Sequence, residues 1–301
     1  MPIDTSSHDI LADRRADYAE MLFADGDFAS AASLMMDALE RAPDWSFGWF
    51  RLGEFHEAAA EQDKAVEAWR MAVRLDPADR AGAALKLSLV GAAPQTDRPP
   101  SAFVEALFDQ YADRFDSSLV EKLAYCVPDL MLRAVTAVHP ESFALARDLG
   151  CGTGLMGERL RPHVARLEGF DISGEMLRKA RGKSVYDLLE KADLQNLPQF
   201  AAPAGLVTAA DVFMYLGALD GIVASVAAMQ SPGGLFGLSV ERHEGPEDFV
   251  LLASRRYSHS QAYIERLLAT HGYAIASISN ETIRTDRNAP IQGILTVARK
   301  Q

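Results

Sequence analysis

One short stretch constrains the fold more than any other. It reads Arg147-Asp148-Leu149-Gly150-Cys151-Gly152-Thr153-Gly154-Leu155, where an apolar run breaks into three glycines at alternate positions. Glycines at this spacing let the backbone approach a ligand that any Cβ would push away. The residues after the last glycine are typical of a helix start, whose first N–H groups lack intrahelical partners. The stretch therefore predicts a strand, a nucleotide-binding turn and a helix.

The glycines also fit the dinucleotide pattern G-x-G-x-x-G, which is weak on its own. Asp148 discriminates between ligands, because a carboxylate at the strand end repels a pyrophosphate and attracts a cation. An acid followed by x-G-x-G-x-G resembles the first motif of class I S-adenosylmethionine-dependent methyltransferases. The resemblance implies that Asp148 faces the methionine end of the cofactor, and that Gly150, Gly152, Gly154 and Leu155 line its path. The alternative is a turn that binds nothing.

Two more carboxylates follow predicted strands. Asp171 lies 21 residues past the first glycine, near the spacing at which a strand-end acid accepts both ribose hydroxyls in nucleotide-binding sheets. By resemblance, Asp171 binds the ribose while Ile172 and Met176 pack on the adenine, and Asp193 and Leu194 bind the adenine ring. The alternative for Asp171 is a helix N-cap.

From Phe143 onward the apolar pattern alternates between strands and helices, which predicts a parallel sheet covered on both faces. Seven strands with a terminal hairpin suit the methyltransferase order 3-2-1-4-5-7-6 with the last strand antiparallel. We therefore expect an α/β fold with a Rossmann-like, seven-stranded methyltransferase sheet, preceded by an α-helical domain.

The first 90 or so residues have apolar side chains at helical spacing. When Pro43 is aligned with Pro77, 34 residues later, three further positions match in size and apolar character. The matched pairs are Ala31 with Ala65, Ala38 with Ala72, and Met35 with Trp69. With Trp49, Leu52 and Gly53 at W-x-x-L-G spacing, the segment resembles tetratricopeptide repeats, with a third helix expected over about Ala78–Val90. Such repeats hold a peptide, self-associate or only serve as a scaffold.

We divide the chain into a tetratricopeptide-like domain (1–93), a linker containing three prolines (94–100), lead-in helices (101–142) and a methyltransferase core (143–301). Within the lead-in, residues 108–116 resemble the F-D-x-x-A-x-x-Y-D element of many methyltransferases, with Phe115 in place of the tyrosine. By resemblance this element folds over the cofactor. We expect Tyr111 to line the pocket, and Phe108 and Phe115 to be core residues.

The fourth predicted strand runs from Gly205 to Tyr215, and in the family it ends beside the transferable methyl group. Asp211 is therefore expected at the cofactor, with Met214 and Tyr215 at the acceptor. Further acceptor-side candidates follow the fifth strand: Arg256, Tyr257 and His259. His259 is either a general base or a residue of the helix start that bonds backbone, and Arg256 either neutralises a substrate carboxylate or is a solvated charge.

The formal net charge of −12 and the absence of a basic block disfavour a nucleic-acid partner. The sequence contains neither a secretory leader nor a membrane-spanning run, so we expect a cytoplasmic protein without membrane contact. Its two cysteines form no metal-ligand pattern, and no metal is expected.

The whole pattern resembles the bacterial tetratricopeptide-containing methyltransferases. It implies methyl transfer from S-adenosyl-L-methionine to an oxygen or nitrogen of a small molecule, less readily of a protein side chain, with S-adenosyl-L-homocysteine as product. Two alternatives remain. One is a repeat-based binding module whose core holds the cofactor without turnover, and the other is an NAD(P)-dependent oxidoreductase.

Overall fold

The structure, a computed structural model, describes residues 3–116, 123–286 and 289–301. These residues form two compact units, with the division between Ala106 and Leu107. That division falls inside helix α6 (Ser101–Tyr111).

The first unit is helical, as the sequence predicts. Its helices before α6 follow one another along the chain, and each packs against the next: α1 (Ile10–Ala24), α2 (Phe28–Leu39), α3 (Ser46–Ala58), α4 (Gln62–Leu75) and α5 (Ala83–Leu89). Small residues allow the close approach. A Cβ on Gly53 would lie 2.3 Å from the Trp69 indole nitrogen, so only glycine admits this indole against α3.

Helix α5 is shorter than the expected Ala78–Val90 helix. Asp79 has a positive φ of 50°, and its carboxylate accepts hydrogen bonds from the backbone N–H groups of Ala83 and Ala84. The chain therefore turns at Asp79, and the helix begins only after Gly82.

The second unit is built on one mixed sheet. Its strands are β1 (Phe143–Leu149), β2 (Val164–Asp171), β3 (Leu188–Lys191), β4 (Leu206–Ala209), β5 (Leu235–Arg242), β6 (Phe249–Leu251), β7 (Tyr257–His259), β8 (Tyr273–Asp286) and β9 (Ala289–Lys300). The first five are parallel in the order β3-β2-β1-β4-β5. β9 then pairs antiparallel with β5, and β8 pairs antiparallel with β9. β9 and β8 thus take the places of the seventh and sixth strands of the predicted order 3-2-1-4-5-7-6. That order is confirmed, with its antiparallel last strand.

Two details of the sheet differ from the prediction. The short strands β6 and β7 extend the sheet at the carboxyl end of β5: β4 pairs with β5 only as far as Leu238, and beyond it residues 241 and 242 of β5 pair with β7, which pairs in turn with β6. The fourth strand stops at Ala209 rather than running to Tyr215. The backbone of Asp211 has φ +57°, and Phe213–Tyr215 forms a 3₁₀ turn. Neither conformation can continue a strand.

Helices cover both faces of the sheet and make two apolar cores. One core joins α10 (Asp220–Ala228) and α11 (Gln261–Thr270) to strand residues such as Val207 and Phe236. The other joins α7 (Val127–Val138) and α8 (Leu155–Leu160) to strand residues such as Leu206 and Leu235, which directly precede Val207 and Phe236 in the chain. Successive strand residues thus face opposite cores, as expected for a sheet buried on both sides. The remaining helix, α9 (Gly174–Lys183), follows β2.

Candidate functional site

The glycine loop connects β1 to α8 at the carboxyl end of the sheet. Gly150, Gly152 and Gly154 all have positive φ, at 66°, 54° and 94°. A Cβ on Gly150 would lie 2.3 Å from the Val212 side chain, whereas among the described residues the nearest atom to a Cβ on Gly152 would be in the Phe115 ring, at 3.8 Å. Gly150 is thus required by the protein's own packing, while the described residues leave room for a side chain at Gly152, where the positive φ still favours glycine.

Asp148, one residue before the end of β1, is almost completely buried. Its two carboxylate oxygens accept hydrogen bonds from the hydroxyls of Tyr186 (2.7 Å) and Thr208 (2.9 Å). Burial raises the pKa of Asp148 to about 6, although both hydrogen bonds oppose the shift. Its carboxylate is therefore held in place by Thr208 of β4 and by Tyr186 of the segment before β3 rather than left free at the loop surface.

Asp171 ends β2 and connects that strand to the glycine loop. Its carboxylate accepts the N–H of Gly152 and the N–H of Ser173, both at 2.8 Å. Burial raises the pKa of Asp171 to about 6. The N-cap of α9 is Ser173, whose hydroxyl accepts the N–H of Met176, so the N-cap alternative for Asp171 is wrong.

The predicted adenine-side residues differ in accessibility. Asp193 is half-buried and accepts the N–H of Gln195, and Leu194 beside it is also half-buried. Ile172 and Leu155 are half-buried as well. Met176 is an exception, because its side chain is completely buried beneath the start of α9. A direct contact of Met176 with a ligand, which the sequence suggested, is contradicted by this burial.

The lead-in segment lies over the glycine loop through carboxylates rather than through Tyr111. Asp109 accepts a hydrogen bond from the Ser173 hydroxyl at 2.6 Å, and Asp116 accepts one from the hydroxyl of Thr153. Lys183 of α9 lies 3.0 Å from Asp116. These contacts hold the Asp109 end of the segment against the start of α9, and the Asp116 end against the glycine loop and the end of α9.

The aromatic residues of this segment are arranged differently from the prediction. Tyr111 is 54% exposed, so it does not line an enclosed pocket. Phe108 and Phe115, expected in the core, are only half-buried. The ring of Phe115 is the group nearest to a Cβ built on Gly152, and Phe108 packs edge-on against Tyr215 at 5.0 Å. An amphipathic pattern predicts which residues lie on one helix face, but not what that face covers.

Asp211 is paired with an arginine and is not a free carboxylate facing the glycine loop. Both of its oxygens accept hydrogen bonds from Arg284 of β8, at 2.7 and 2.8 Å, and Arg284 also binds Glu241 of β5. All three side chains are at least nine-tenths buried. Burial alone would lower the pKa of Arg284, but the two carboxylates raise it, so the guanidinium stays charged. The assignment of Asp211 to the cofactor is corrected accordingly.

The other acceptor-side residues surround this buried charge cluster. Met214 is buried, with its sulfur 3.3 Å from Arg284. Arg256 is 3.2 Å from Glu241 and 3.7 Å from Asp286, so it is neither solvated alone nor free. Tyr215 is half-buried, and burial raises its pKa to about 12. Its hydroxyl therefore stays protonated at neutral pH.

His259 and Tyr257 are completely buried in β7, which corrects their assignment as accessible catalytic residues. The Nε2–H of His259 donates to the Gly217 carbonyl at 2.8 Å, so His259 bonds backbone, although it ends β7 rather than starting a helix. Burial lowers its pKa to about 4. A side chain enclosed in this way cannot act as a base for a bound acceptor near neutral pH.

Sequence reasoning missed Arg284, Glu241 and Tyr186. The sequence offered no signal for Arg284, because β8 is rich in polar residues and nothing in it marks this arginine as buried. Tyr186 offered none, because its contact with Asp148 joins residues that are 38 positions apart.

One part of the chain matches a known protein family. Residues 147–234, which contain the glycine loop and the strand-end acids, match the family described as a methyltransferase domain. The chain carries a methyltransferase domain. Its sheet has the strand order that the resemblance to class I S-adenosylmethionine-dependent methyltransferases implies.

The methyltransferase domain has relatives of several kinds. Human methyltransferase-like protein 27 is 32% identical over 171 residues, which cover 54% of this chain and 62% of the relative. The ubiquinone biosynthesis O-methyltransferase of Thiobacillus denitrificans is 28% identical over 200 residues, covering 62% and 82%. The chain thus spans less than two thirds of the human protein.

A solved structure shares the fold. The 1,6-didemethyltoxoflavin-N1-methyltransferase of Burkholderia thailandensis superposes with a TM-score of 0.54 at 16% identity, over 69% of this chain and 92% of that one.

No described helix has the length and apolar character needed to cross a membrane. No cluster of His, Cys, Asp or Glu in the described residues could hold a metal ion.

Proposed function

We propose that the second unit binds S-adenosyl-L-methionine at the carboxyl ends of β1, β2 and β3. In this proposal it transfers the methyl group to an oxygen or nitrogen of a small molecule, with S-adenosyl-L-homocysteine as product. One observation carries the proposal: the Asp171 carboxylate is bonded to the N–H of Gly152, within a region that matches the methyltransferase domain. This hydrogen bond fixes Asp171, the proposed ribose-binding residue, beside Gly152 of the glycine loop.

The residues present fit this cofactor. Gly152 leaves its backbone without a side chain beside the Phe115 ring, which would lie 3.8 Å from a Cβ at this position. Each oxygen of Asp171 already accepts one backbone N–H, and a carboxylate oxygen has a second lone pair with which to accept a ribose hydroxyl. Asp193 and Leu194, half-buried at the end of β3, would hold the adenine, with Ile172 and Leu155 beside them.

Asp148 would act through its charge. Both of its oxygens are occupied by protein hydroxyls, so a direct bond to the ligand is not its main contribution. A negative charge in a buried site stabilises a nearby cation more strongly than it would in water. This arrangement favours a sulfonium and disfavours the pyrophosphate of a nicotinamide dinucleotide.

The sulfonium supplies an activated methyl group, so the protein has only to align the acceptor and exclude water. Tyr215, whose raised pKa keeps its hydroxyl protonated, would donate a hydrogen bond to the acceptor rather than take its proton. Arg256 and Met214 would shape the acceptor side, since both border the buried charge cluster. With His259 enclosed, we assign no general base.

A small molecule is the acceptor class we favour. The relatives include a ubiquinone biosynthesis O-methyltransferase, and the net charge of −12 disfavours nucleic acid. The segment Phe108–Asp116 is held to the start of α9 through Asp109 and to the glycine loop through Asp116, which would restrict access for a large acceptor.

For the rest of the chain we propose a tetratricopeptide-like domain over residues 1–93, a linker over 94–100, lead-in helices over 101–142 and the core over 143–301. Support for the repeats comes from the packing of consecutive helices and from the Gly53–Trp69 contact between α3 and α4.

Calorimetry with S-adenosyl-L-homocysteine, S-adenosyl-L-methionine and NAD tests the cofactor. We expect the first two to bind and NAD not to bind, and the reverse would refute the proposal. Incubation of the full chain with radiolabelled cofactor and separate pools of metabolites, proteins and nucleic acid then tests the acceptor. Label should appear first in the metabolite pool. Cofactor binding without label in any pool would support the non-catalytic binding module instead.

A further inference from the structure

Helix α1 buries its small side chains and exposes its large apolar ones. Its buried residues are three alanines: Ala12, Ala16 and Ala19. Its exposed apolar residues are Ile10 (72% exposed), Leu11 (50%), Tyr18 (57%) and Met21 (61%). A helix at a protein surface normally shows the opposite arrangement. A contiguous exposed apolar face of this kind marks an interaction surface.

A narrow stripe along this face has the spacing of a two-helix seam. Ile10, Arg14, Asp17 and Met21 are separated by four, three and four residues. At 3.6 residues per turn they fall within about 60° of arc. The 4-3-4 spacing is that of the a and d positions where two helices pack side by side. We call these four residues the α1 seam.

The two charges of the α1 seam stand apart from the others on the helix. Arg14 and Asp17 are exposed, and neither has an ion-pair or hydrogen-bond partner among residues 3–116, 123–286 and 289–301. Charges elsewhere on α1 are partnered: Asp13 by Ser6 and Ser7, Arg15 by the Asp37 carbonyl, and Glu20 by Arg51. The helix thus satisfies its charges everywhere except on the exposed stripe.

The order of residues in the seam reads the same in both directions by type: apolar, charged, charged, apolar. Turning a second copy of α1 antiparallel about an axis between Arg15 and Ala16 places Ile10 opposite Met21 and Arg14 opposite Asp17. The Ile10–Met21 contact and the Arg14–Asp17 pair then each occur twice. A parallel pair would instead place each charge opposite its own kind, which is unfavourable.

We propose that two copies of this chain associate through an antiparallel pair of α1 helices, with Arg14 of each copy paired to Asp17 of the other. A partner of a single charge sign would leave one of these two residues facing its own kind, whereas a second copy satisfies both. Leu11, Tyr18 and the 39%-exposed Met36 widen the apolar contact. Met36 lies next to Asp37, whose carbonyl binds Arg15 of α1.

Sedimentation velocity of the full chain over a wide concentration range tests this proposal. The unmodified protein should dimerise. Either charge reversal, Arg14→Asp or Asp17→Arg, should raise the dissociation constant of the dimer about tenfold or more, because like charges then meet twice. Mixing the two single variants should restore a dimer, since every seam charge in the mixed pair again faces its opposite. Arg70→Asp, at an exposed arginine on α4, is the matched control and should leave dimerisation unchanged.

Three results would overturn the proposal. A monomer at every concentration would show that another molecule or nothing covers the seam. A dimer insensitive to both reversals would place the interface elsewhere. Two weakened variants that fail to form a mixed dimer would exclude the antiparallel pairing. Circular dichroism of each variant confirms that the helices remain folded.

Discussion

The Asp171→Asn substitution should separate cofactor binding from folding. Burial raises the pKa of Asp171 from 3.8 to about 6, a shift of roughly 2 units or about 3 kcal/mol. Because the folded pKa lies above the unfolded one, the stability contributed by this group is full below pH 3.8. It is lost as the pH rises through about 6. At pH 7 the ionised carboxylate thus costs the folded protein about 3 kcal/mol, a cost that neutral asparagine removes.

The substitution also has a cost. Asp171 accepts two backbone N–H groups, and the asparagine carbonyl can readily keep only one of them. One buried donor left without a partner costs about 1–3 kcal/mol. The two effects nearly cancel, so the unfolding free energy of the ligand-free variant should stay within about 2 kcal/mol of the unmodified protein.

Cofactor affinity should respond very differently. Losing two charge-assisted bonds to the ribose, at about 1.5 kcal/mol each, should weaken S-adenosyl-L-homocysteine binding about 100-fold. At a ligand concentration of about 100 times the original dissociation constant, the stabilisation by ligand would fall from about 2.7 to about 0.4 kcal/mol. Calorimetry and thermal unfolding with and without ligand measure both quantities. The reasoning is refuted if the variant binds as tightly as the unmodified protein.

Asp187→Asn provides the matched control. Asp187 accepts hydrogen bonds from the N–H of Leu167 and from Arg161, both at 2.7 Å, and the backbone bond is the main cause of its lowered pKa. Its ionised form therefore stabilises the fold at pH 7. The control variant should lose stability modestly and keep its cofactor affinity, the opposite pattern to Asp171→Asn.

Two further predictions concern buried charge. Arg284→Met leaves the Asp211 and Glu241 carboxylates without their shared cation, so urea unfolding at neutral pH should show a loss of about 3–5 kcal/mol, and a change below 1 kcal/mol would contradict the pairing. His259 has a pKa lowered from 6.5 to about 4, so its contribution to stability is complete above pH 6.5 and is lost as the pH falls through about 4. The stability advantage of the unmodified protein over His259→Gln should therefore shrink by about 3 kcal/mol across that range in urea titrations, and a constant difference would refute the assignment.

The sequence predicts the location of the glycine loop because its determinants are local. Gly150, Gly152 and Gly154 lie within five residues, and Asp148 and Asp171 each stand near the end of a predicted strand. The alternation of apolar segments predicts that strands and helices alternate along the chain. The order of the strands in the sheet was expected from the resemblance of these motifs to the methyltransferase family.

The acceptor side could not be predicted in this way. Arg284 meets Asp211 across 73 residues, and that contact depends on the register of β8 against β9 and of β9 against β5. His259 is enclosed because β6 and β7 form an extra pair at the end of β5. Strands of only three residues carry too little sequence pattern for this pair to be predicted. Long-range register, rather than local propensity, determines which polar residues are buried there.

The distribution of buried charge gives a physical reason for the ligand preference. On the acceptor side, Asp211 and Glu241 are neutralised by Arg284. On the cofactor side, the raised pKa values of Asp148 and Asp171 come first from burial, and no ion pair within the described residues includes either one. The protein thus holds two buried carboxylates at the carboxyl ends of β1 and β2. Within the described residues, their hydrogen-bond partners are hydroxyls and backbone N–H groups.

An uncompensated pair of this kind destabilises the ligand-free protein at neutral pH and is relieved by a cation or by hydroxyl donors. S-adenosyl-L-methionine offers both, with a sulfonium and two ribose hydroxyls. A dinucleotide brings a pyrophosphate, whose negative charge would add to the repulsion. Asp148 and Asp171 therefore lower the stability of the ligand-free protein, and the same two side chains favour a methyl donor over a hydride carrier.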